Sequence, residues 1–330
     1  MSEPKPVVSR TPTDSSADQF AADVQYYLAL QPRQLPSRYF YDALGSALFD
    51  AICRLPWYRI TRAETRLLAK HGREIFDAFG RGVDTVVELG CGSGQKLMTL
   101  VQAGRRAPSR RLELRLIDVS ASALASAARV LSALDDVHIV TYEASYEAGL
   151  AEARAARPGS GRTLALFLGS NIGNFDPPGA DAFLRGIRAA LARGDGFLIG
   201  ADLVKPERAL LLAYDDPLGV TAAFNLNLLV RINRELSGDF DVSAFTHRAV
   251  WNARASRVEM HLVSRGRQHV RVPAAQLEFD MEDGESIWTE SSYKYDPDGL
   301  RLVLERAGFR TIHQWIDGDD AFALTLVAAV

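Results

Sequence analysis

The chain of 330 residues is long enough for one large domain or two smaller ones. Its composition, with 47% apolar and 24% charged residues, is that of an ordinary globular protein. The formal net charge of -3 disfavours a surface built to neutralise nucleic-acid phosphates, and no apolar run approaches the length of a membrane span. Because the N-terminus has no apolar run typical of a secretory signal and the chain has two cysteines, we expect a cytoplasmic protein without a disulfide framework.

The first part of the chain predicts helices rather than strands. Residues 1–16 are rich in Ser, Thr and Pro and are expected to form a loose arm. Apolar residues then recur at helical spacing from Asp18 and again after Thr61, and residues 46–55 are also typical of a helix. Thr61 and Glu64 have the spacing of a capping box, which predicts that the third helix begins there.

Residues 85 to 202 alternate between strand-like and helix-like segments. Strands are predicted at five places, namely 85–89, 111–117, 138–142, 164–168 and 196–202. Helix-forming residues separate these runs. Such alternation implies βαβ crossovers and therefore a parallel sheet.

The alternation stops after about residue 205. A helix is predicted over 221–236, and residues 258–272 resemble a hairpin that turns at 264–267. Alternation resumes at Pro297 with one helix and two strands. We therefore expect an α/β layer that is interrupted by an insertion and completed by the C-terminal residues.

A glycine-rich turn follows the first of these strands, in the segment Glu88-Leu-Gly90-Cys-Gly92-Ser-Gly94. A strand, a glycine turn and a helix place backbone N–H groups and a helix N-terminus beside a ligand. The nicotinamide-dinucleotide fingerprint requires another glycine where this chain has Gln95. The segment therefore favours a ligand other than a nicotinamide dinucleotide.

The alternating glycines after an acidic residue resemble the S-adenosylmethionine loop of class I methyltransferases. In that resemblance, an acidic residue that ends the second strand holds the ribose hydroxyls, and Asp118 has this position. A carboxylate suits the role because it can accept hydrogen bonds from both hydroxyls.

Several longer segments resemble one branch of that superfamily, the histidine-specific methyltransferases of ergothioneine biosynthesis. The matching segments are SRYFYDALGSALFDAICRLPWYRITRAE at 37–64, VELGCGSGQK at 87–96, LFLGSNIGNF at 166–175, AYDDPLGVTAAFNLNLLVRINREL at 213–236 and WTESSYKY at 288–295. The resemblance covers nearly the whole chain after residue 20. It includes the insertion, where we expect substrate choice to be determined.

The resemblance implies S-adenosylmethionine as cofactor and a set of residues that bind it. After the third strand the family has an acidic and an aromatic residue, and this chain has Ser145 and Tyr146 there instead. The implied cofactor contacts are Tyr41, Gly90, Lys96, Asp118, Ser145 and Tyr146.

The resemblance also implies that Tyr58, Asn174 and Tyr214 hold the amino and carboxylate groups of histidine. Glu290 and Ser292 are the implied partners of its imidazole ring. Three further residues line the implied pocket: Gly169, Phe224 and Met260.

These residue types suit the chemistry of methyl transfer to an amine. The acceptor nitrogen needs an exposed lone pair, and Asn174 and Tyr58, the predicted catalytic residues, can hold its N–H bonds so that the lone pair points inward. Neither a histidine nor a carboxylate in these motifs is an obvious base, so proton loss to water past Tyr58 is our hypothesis. Glu290 can accept from one imidazole N–H while Ser292 engages the other nitrogen.

Other functions remain open at this point. A related enzyme of the same fold would methylate another free aromatic amino acid, such as a tryptophan derivative, and a non-catalytic binding module would keep the ligands without reaction. The segment Asn174-Phe-Asp-Pro-Pro178 lacks the aromatic residue of nucleic-acid amino methyltransferases, since Gly179 follows it. The six histidines are scattered without ligand spacing, which disfavours a metal site.

We predict a class I methyltransferase fold, a Rossmann-like parallel sheet with an antiparallel last strand, plus an inserted α+β substrate-binding domain, with the active site between them. The predicted methyltransferase domain comprises 1–62, 83–205 and 295–330, and the substrate-binding domain comprises 63–82 and 206–294. The predicted reaction is trimethylation of the α-amino group of free L-histidine to hercynine. We expect a monomer that binds small molecules and neither nucleic acid nor a membrane.

Overall fold

The computed structural model describes residues 7–10, 16–79, 82–105, 111–155 and 161–330. The described chain divides into two compact units. The first unit contains Ile60–Val204 and Lys294–Val330 together with the strand Val7–Arg10. The second unit contains the residues from 16 to Arg59 and Lys205–Tyr293.

The helices and strands are numbered here in chain order within the described residues. The helices are α1 Ser16–Leu28, α2 Ala43–Ile52, α3 Ile60–Asp77, α4 Gln95–Gly104, α5 Ala121–Leu131, α6 Tyr146–Ala155, α7 Pro177–Ala190, α8 Glu207–Tyr214, α9 Val220–Leu236 and α10 Pro297–Arg306. The strands are β1 Val7–Arg10, β2 Arg33–Gln34, β3 Val83–Leu89, β4 Leu112–Asp118, β5 Val137–Glu143, β6 Arg162–Phe167, β7 Gly196–Asp202, β8 Phe245–Asn252, β9 Arg257–Ser264, β10 Gln268–Val272, β11 Leu277–Met281, β12 Ser286–Tyr293, β13 Phe309–Asp317 and β14 Phe322–Ala329. One-turn 3₁₀ helices lie at Ser37–Phe40, Asn171–Asn174, Val242–Ala244 and Pro273–Ala275.

The first unit is built on one twisted sheet with the strand order β1-β5-β4-β3-β6-β7-β14-β13. The six neighbouring strands β1, β5, β4, β3, β6 and β7 are parallel, whereas β14 is antiparallel to β7 and β13 is antiparallel to β14. Every residue of β7 and β14 is buried, as expected for strands covered on both faces. The predicted parallel sheet with an antiparallel last strand is confirmed.

The strand order places one end of β3 at a topological switch point. β3 lies between β4 and β6, so the crossovers leave it in opposite directions along the sheet. In open α/β sheets, ligands bind outside the carboxyl ends of the strands at such a point. The glycine-rich loop follows β3 at this position.

The second unit contains a four-stranded sheet with the order β2-β12-β9-β8 and a separate ribbon of β10 and β11. In the four-stranded sheet, β2 is parallel to β12 and the other neighbours are antiparallel. The predicted hairpin over 258–272 is wrong, because β9 pairs with β8 and β12 while β10 pairs with β11. The turn at 264–267 thus connects two sheets rather than two paired strands.

The N-terminal residues differ from the predicted loose arm where the structure describes them. Val7–Arg10 forms β1, which adds to the sheet edge in parallel with β5, for example through the pair Val7 and Ile139. Backbone pairing to an exposed sheet edge does not require an apolar pattern, so composition gave no sign of it. The rest of the predicted arm, at 1–6 and 11–15, lies outside the described residues.

The unit boundaries also differ from the predicted domains in two places. The predicted substrate-domain segment 63–82 contains most of α3, which packs against α4, β13 and β14 and belongs to the first unit. The N-terminal helices were predicted within the methyltransferase domain, but the residues from 16 to Arg59 belong to the second unit. There α2 packs against α9, and β2 pairs with β12.

Candidate functional site

The loop after β3 has a backbone that only glycine adopts readily. Gly90, Gly92 and Gly94 have φ angles of +75°, +49° and +75°, in the left-handed region that other residues rarely occupy. A Cβ on Gly94 would lie 2.8 Å from the Cα atom of Ala127 in α5, whereas no neighbouring atom lies within 4 Å of such a position on Gly92. The loop therefore packs closely on one side and leaves room for a ligand on the other.

Asp118 ends β4, next to this loop. Its Oδ2 accepts from the N–H of Gly92 at 3.2 Å, and its Oδ1 accepts from the N–H of Ser120 at 3.0 Å. Burial raises the pKa of the Asp118 carboxyl, and the hydrogen bonds from these amides oppose that shift. Because a carboxylate accepts about four hydrogen bonds, ribose hydroxyls are compatible partners.

Glu88 lies inside β3, two residues before the glycine loop, and only 2% of it is exposed. Burial raises the pKa of its carboxyl to about 8, although the positive charge of Lys96 opposes the shift. Its Oε2 is buried without a hydrogen-bond partner among the described residues. A buried acceptor of this kind implies that a bound group completes its hydrogen bonding, and a cationic amino-acid group such as that of S-adenosylmethionine fits.

Glu64 of α3 is a further carboxylate of this unit, with 0% of its surface exposed. Both of its oxygens accept from the N–H of Gly169, at 2.9 and 2.8 Å. Its Oε2 also lies 2.6 Å from Nζ of Lys96. The carboxylate thereby joins the first turn of α4 to the loop after β6, and both of those segments carry predicted site residues.

Glu64 does not have the helix-capping role that its spacing from Thr61 predicted. The predicted capping box is wrong because α3 begins at Ile60 and the Glu64 carboxylate accepts from Gly169. A signal for this position did exist. Leu67 and Leu68, three and four residues further on, are buried, so helical periodicity places Glu64 on the apolar face of α3. A carboxylate on that face requires buried partners.

Ser145 and Tyr146 follow β5, as predicted, and have different environments. Ser145 is exposed, and its Oγ accepts from the N–H of Ala148 at 3.3 Å in the first turn of α6. The ring of Tyr146 packs edge-on against Phe167 and Phe183, and burial raises its pKa. A Cβ on Gly90 would lie 3.1 Å from the Tyr146 hydroxyl oxygen, so this ring closely approaches the glycine loop.

A β-bulge in β12 determines which way Glu290 points. Trp288 pairs with His261 of β9, but Glu290 pairs with Met260, so Thr289 is an extra residue. Residues paired across a sheet share a face, and a simple alternation would have placed Glu290 on the face of Trp288. The bulge turns Glu290 to the face of buried Met260 instead. The indole N–H of Trp288 donates to the Glu290 carbonyl oxygen at 2.8 Å.

Three hydroxyl-bearing residues of the predicted histidine site lie in the second unit and are buried: Tyr58, Tyr214 and Ser292. The hydroxyl oxygens of Tyr214 and Ser292 are 2.7 Å apart. The rings of Tyr58 and Tyr214 meet edge-on, with centroids 6.4 Å apart. Burial holds the pKa of Tyr58 well above 10, and Tyr214 and Glu290 add to that shift. Tyr58 is therefore a neutral phenol at physiological pH.

An aromatic cluster surrounds Phe224 in the same unit. Its ring centroid lies 4.5 Å from that of Phe40, 5.8 Å from that of Tyr41 and 5.9 Å from that of Phe49. Phe49 also contacts Tyr58 edge-on. The faces of aromatic rings attract cations, so a cluster of this kind is suited to an ammonium group.

The predicted site residues divide between the two units. The first unit contains Gly90, Lys96, Asp118, Ser145, Tyr146, Gly169 and Asn174. The second contains Tyr41, Tyr58, Tyr214, Phe224, Met260, Glu290 and Ser292. Tyr41 is thus the one predicted cofactor contact in the second unit, and Gly169 and Asn174 are the predicted substrate contacts in the first. Asn174 ends the 3₁₀ helix Asn171–Asn174 after β6.

A family model described as histidine-specific methyltransferase, SAM-dependent, matches residues 20–329. A histidine N-alpha-methyltransferase of Mycolicibacterium smegmatis is 43% identical over 95% of this chain and 96% of its own length.

More distant relatives have other names. Ergothioneine biosynthesis protein 1 of Neurospora crassa is 26% identical over 90% of this chain, which spans 33% of that longer protein. A 4-dimethylallyltryptophan N-methyltransferase of Penicillium roqueforti is 26% identical over 89% of each chain. The family inferred from the sequence is confirmed by the match over 20–329: this chain belongs to the histidine-specific, S-adenosylmethionine-dependent methyltransferases.

Proposed function

We propose that this protein transfers three methyl groups in succession from S-adenosylmethionine to the α-amino group of free L-histidine, giving hercynine for ergothioneine biosynthesis. The observation that carries the proposal is the bulge in β12, which turns Glu290 to the same face as Met260. The buried Ser292 and Tyr214 hydroxyls supply further polar groups in the same unit. The 43% identity to a histidine N-alpha-methyltransferase over nearly the full length of both chains supports the same substrate.

The residues of the first unit fit the cofactor. Asp118 would hold the ribose hydroxyls, and the loop through Gly90 gives the nucleoside close access to backbone N–H groups. The buried Oε2 of Glu88 would accept from a cationic amino group, and Lys96 would pair with a carboxylate. When bound, S-adenosylmethionine supplies a methyl group on a positively charged sulfur, with a neutral thioether as leaving group. Tyr41, Ser145 and Tyr146 are further proposed contacts.

The residues of the second unit fit the imidazole ring of histidine. A neutral imidazole has one N–H donor and one acceptor nitrogen. Glu290 would accept from the N–H, and the Ser292 hydroxyl would donate to the other nitrogen. Phe224 and Met260, both buried, would enclose the ring with apolar surface. Gly169 is the proposed pocket wall in the first unit.

Tyr58, Tyr214 and Asn174 would hold the amino-acid end. On histidine binding, Tyr214 would exchange its hydrogen bond with Ser292 for one that it donates to the carboxylate. Asn174 and Tyr58 would hold the amine N–H groups so that the nitrogen lone pair points at the methyl carbon. In each transfer an N–C bond forms and the C–S bond breaks, with the electron pair remaining on sulfur. The amine must lose a proton before each attack, and the neutral Tyr58 phenol can pass it to water without itself becoming charged.

The product of each transfer is a larger ammonium group that must remain bound or bind again. The aromatic cluster of Phe224, Tyr41 and Phe49 would stabilise that cation through its ring faces, with about 0.5–2 kcal/mol for each good cation–π contact. Stabilisation of this kind grows as positive charge moves from sulfur to nitrogen. It therefore favours the transition state over the bound substrate.

Small-molecule substrates also suit the rest of the molecule. Within the described residues, no helix has both the length and the apolar character needed to cross a membrane. We propose further that the enzyme acts in the cytoplasm as a monomer. Size-exclusion chromatography with light scattering measures the oligomeric state directly, and the mass of a dimer would contradict the proposed monomer.

The nearest alternative is N-methylation of another aromatic amino acid, as the name of the Penicillium roqueforti relative indicates for that protein. An indole offers one N–H and no acceptor nitrogen, so Ser292 would have no ring nitrogen to engage. A non-catalytic binding module is the other alternative. Both alternatives are disfavoured because one strand, β12, carries both a carboxylate, Glu290, and a hydroxyl group, Ser292.

Incubation with S-adenosylmethionine and single free amino acids, read by mass spectrometry, tests the proposal. We expect histidine to gain the mass of three added CH₂ groups, with intermediates that carry one and two. Tryptophan, tyrosine and phenylalanine should be unchanged. Nα-acetylhistidine is the matched control, because it keeps the ring but blocks the amine. Methylation of that analogue, or of a tryptophan derivative in preference to histidine, would overturn the proposal.

A further inference from the structure

A chain of hydrogen bonds in the second unit links strands β8, β9 and β12 to the end of α8. Asn225 of α9 is completely buried, and its Nδ2 lies 2.9 Å from Nδ1 of His247 and 3.2 Å from the carbonyl oxygen of His261. Its Oδ1 lies 2.7 Å from Oγ1 of Thr289. The other ring nitrogen of His247, Nε2, lies 2.8 Å from the carbonyl oxygen of Tyr214.

The two carbonyl groups of this chain determine which atoms of Asn225 and His247 donate. The His261 carbonyl only accepts, so the Asn225 nitrogen must face it, and the Thr289 hydroxyl then has two acceptors, Oδ1 of Asn225 at 2.7 Å and the Met260 carbonyl at 3.0 Å. The same Asn225 nitrogen donates to Nδ1 of His247, which must carry no proton. The Tyr214 carbonyl also only accepts, so Nε2 of His247 carries the proton and donates. The chain therefore requires a neutral imidazole in one defined tautomer.

Both ends of the chain reach residues that we assign to histidine binding. His247 holds the backbone of Tyr214, whose hydroxyl oxygen lies 2.7 Å from that of Ser292. Thr289 is the extra residue of the bulge that turns Glu290. Asn225 and His247 thus connect the element that carries Tyr214 with the strand that carries Glu290 and Ser292.

We propose that Asn225 and His247 are positioning residues for histidine binding, and that they act only while the His247 imidazole is neutral. The proposal rests on the proposed function, because Tyr214 and Glu290 are the residues that the pair positions. A proton on Nδ1 of His247 would face the N–H group of Asn225, donor against donor. Tyr214 would then lose its fixed position relative to β12, and histidine would bind more weakly.

The surroundings of His247 keep the imidazole neutral near pH 7. Burial lowers its pKa below the ordinary 6.5, while the Tyr214 carbonyl and the carboxylates of Asp215 and Asp216 after α8 oppose that shift. Leu262 is the paired residue of β9, and α9 contributes the uncharged Asn225. The His247 imidazole is therefore protonated less readily than an ordinary histidine, and the network is lost progressively as the pH falls.

The test compares the KM for histidine of the wild-type enzyme and of His247→Gln between about pH 5 and pH 8. Glutamine offers one donor and one acceptor but does not titrate, and titration of the substrate itself affects both enzymes equally. We expect the wild-type KM to rise about tenfold relative to that of the variant at the acid end, as loss of one hydrogen bond implies. The KM for S-adenosylmethionine should be unchanged. His269→Gln, an exposed histidine in the same unit, is the matched control and should follow the wild type.

A second variant should remove the acid rise by a different route. Asn225→Asp would place a carboxylate, which only accepts, beside Nδ1 of His247, so the protonated imidazole becomes the paired form and the KM should no longer rise toward acid pH. If His247→Gln fails to bind S-adenosylmethionine, Asn225→Asp decides the matter. Superimposable pH profiles for the wild type and His247→Gln, or the same acid rise in KM in Asn225→Asp as in the wild type, would overturn the inference. Absence of histidine binding by the wild type would instead overturn the proposed function.

Discussion

In the first unit the residues near the glycine loop are mostly ionisable, whereas in the second unit the predicted substrate residues are mostly neutral. Glu64, Glu88 and Lys96 are close enough for their charges to influence one another, and Asp118 adds a further carboxylate. In the second unit, the predicted substrate residues pair through uncharged groups, as in the hydrogen bond between the hydroxyls of Tyr214 and Ser292. Glu290 is the one carboxylate among the predicted substrate residues there.

This difference matches the proposed roles of the two units, which are cofactor binding in the first and recognition of the histidine side chain in the second. A cofactor that carries permanent positive charge is attracted by carboxylates over several ångströms, and the attraction tolerates small shifts in position. Discrimination among free amino acids depends on directional hydrogen bonds, because a site built to pair one donor and one acceptor leaves a buried group unpaired when the wrong side chain enters. We therefore expect charge-removing substitutions in the first unit to weaken cofactor binding, and loss of hydrogen bonds in the second unit to weaken histidine binding.

The largest expected effect comes from Glu290→Ala, which removes the one carboxylate among the predicted substrate residues of the second unit. The imidazole N–H would lose a charged acceptor worth about 1.5–3 kcal/mol, so the KM for histidine should rise about 100-fold while the KM for S-adenosylmethionine stays within about twofold. Steady-state kinetics with each substrate varied in turn measures both values. Glu282→Ala, an exposed position in the same unit, is the matched control. Equal losses for both substrates would point to misfolding and contradict the proposed role.

Glu64→Gln removes a negative charge from the first unit and should have the second-largest effect. Glutamine can still accept from the N–H of Gly169, but the negative charge 2.6 Å from Lys96 is lost. We expect the KM for S-adenosylmethionine to rise about tenfold with little change for histidine. We also expect the free energy of unfolding to fall by about 2 kcal/mol. The loss is smaller than for a fully buried pair because Lys96 is partly exposed.

Glu74→Gln provides the control for that experiment. Glu74 lies on the same helix, α3, but is exposed and pairs with His71. Its variant should match the wild type in both KM values. A Glu64→Gln enzyme with wild-type cofactor kinetics and wild-type thermal unfolding would show that Glu64 positions neither Lys96 nor the loop after β6.

The sequence predicted the sheet and the glycine loop well because both have strong local signals. Apolar runs that end at Leu89 and Asp118 and the spacing of three glycines are properties of short segments. The long matching segments predicted the family, which the comparisons confirm. Individual residue roles in binding and catalysis remain predictions.

The sequence could not predict features that depend on partners far along the chain. The Glu64 carboxylate accepts a hydrogen bond from Gly169, which lies more than one hundred residues away. The local spacing of Glu64 with Thr61 predicted a helix cap instead. The bulge at Thr289 exists only in the pairing of β12 with β9. The tautomer of His247 depends on carbonyl groups from α8 and β9. Each of these features depends on tertiary contacts rather than on a local pattern.

The smallest expected effect comes from Tyr58→Phe, which removes one hydroxyl and no charge. Because burial holds the pKa of Tyr58 well above 10, no group that titrates near neutral pH is lost, and the shape of the pH–rate profile should be unchanged. The rate should fall about fivefold through loss of one hydrogen bond to the amine and of the path by which its proton reaches water. Tyr26→Phe, at an exposed position of α1, is the control and should match the wild type. An unchanged rate would remove Tyr58 from the mechanism, and disappearance of a limb of the profile would mean that Tyr58 titrates as a base.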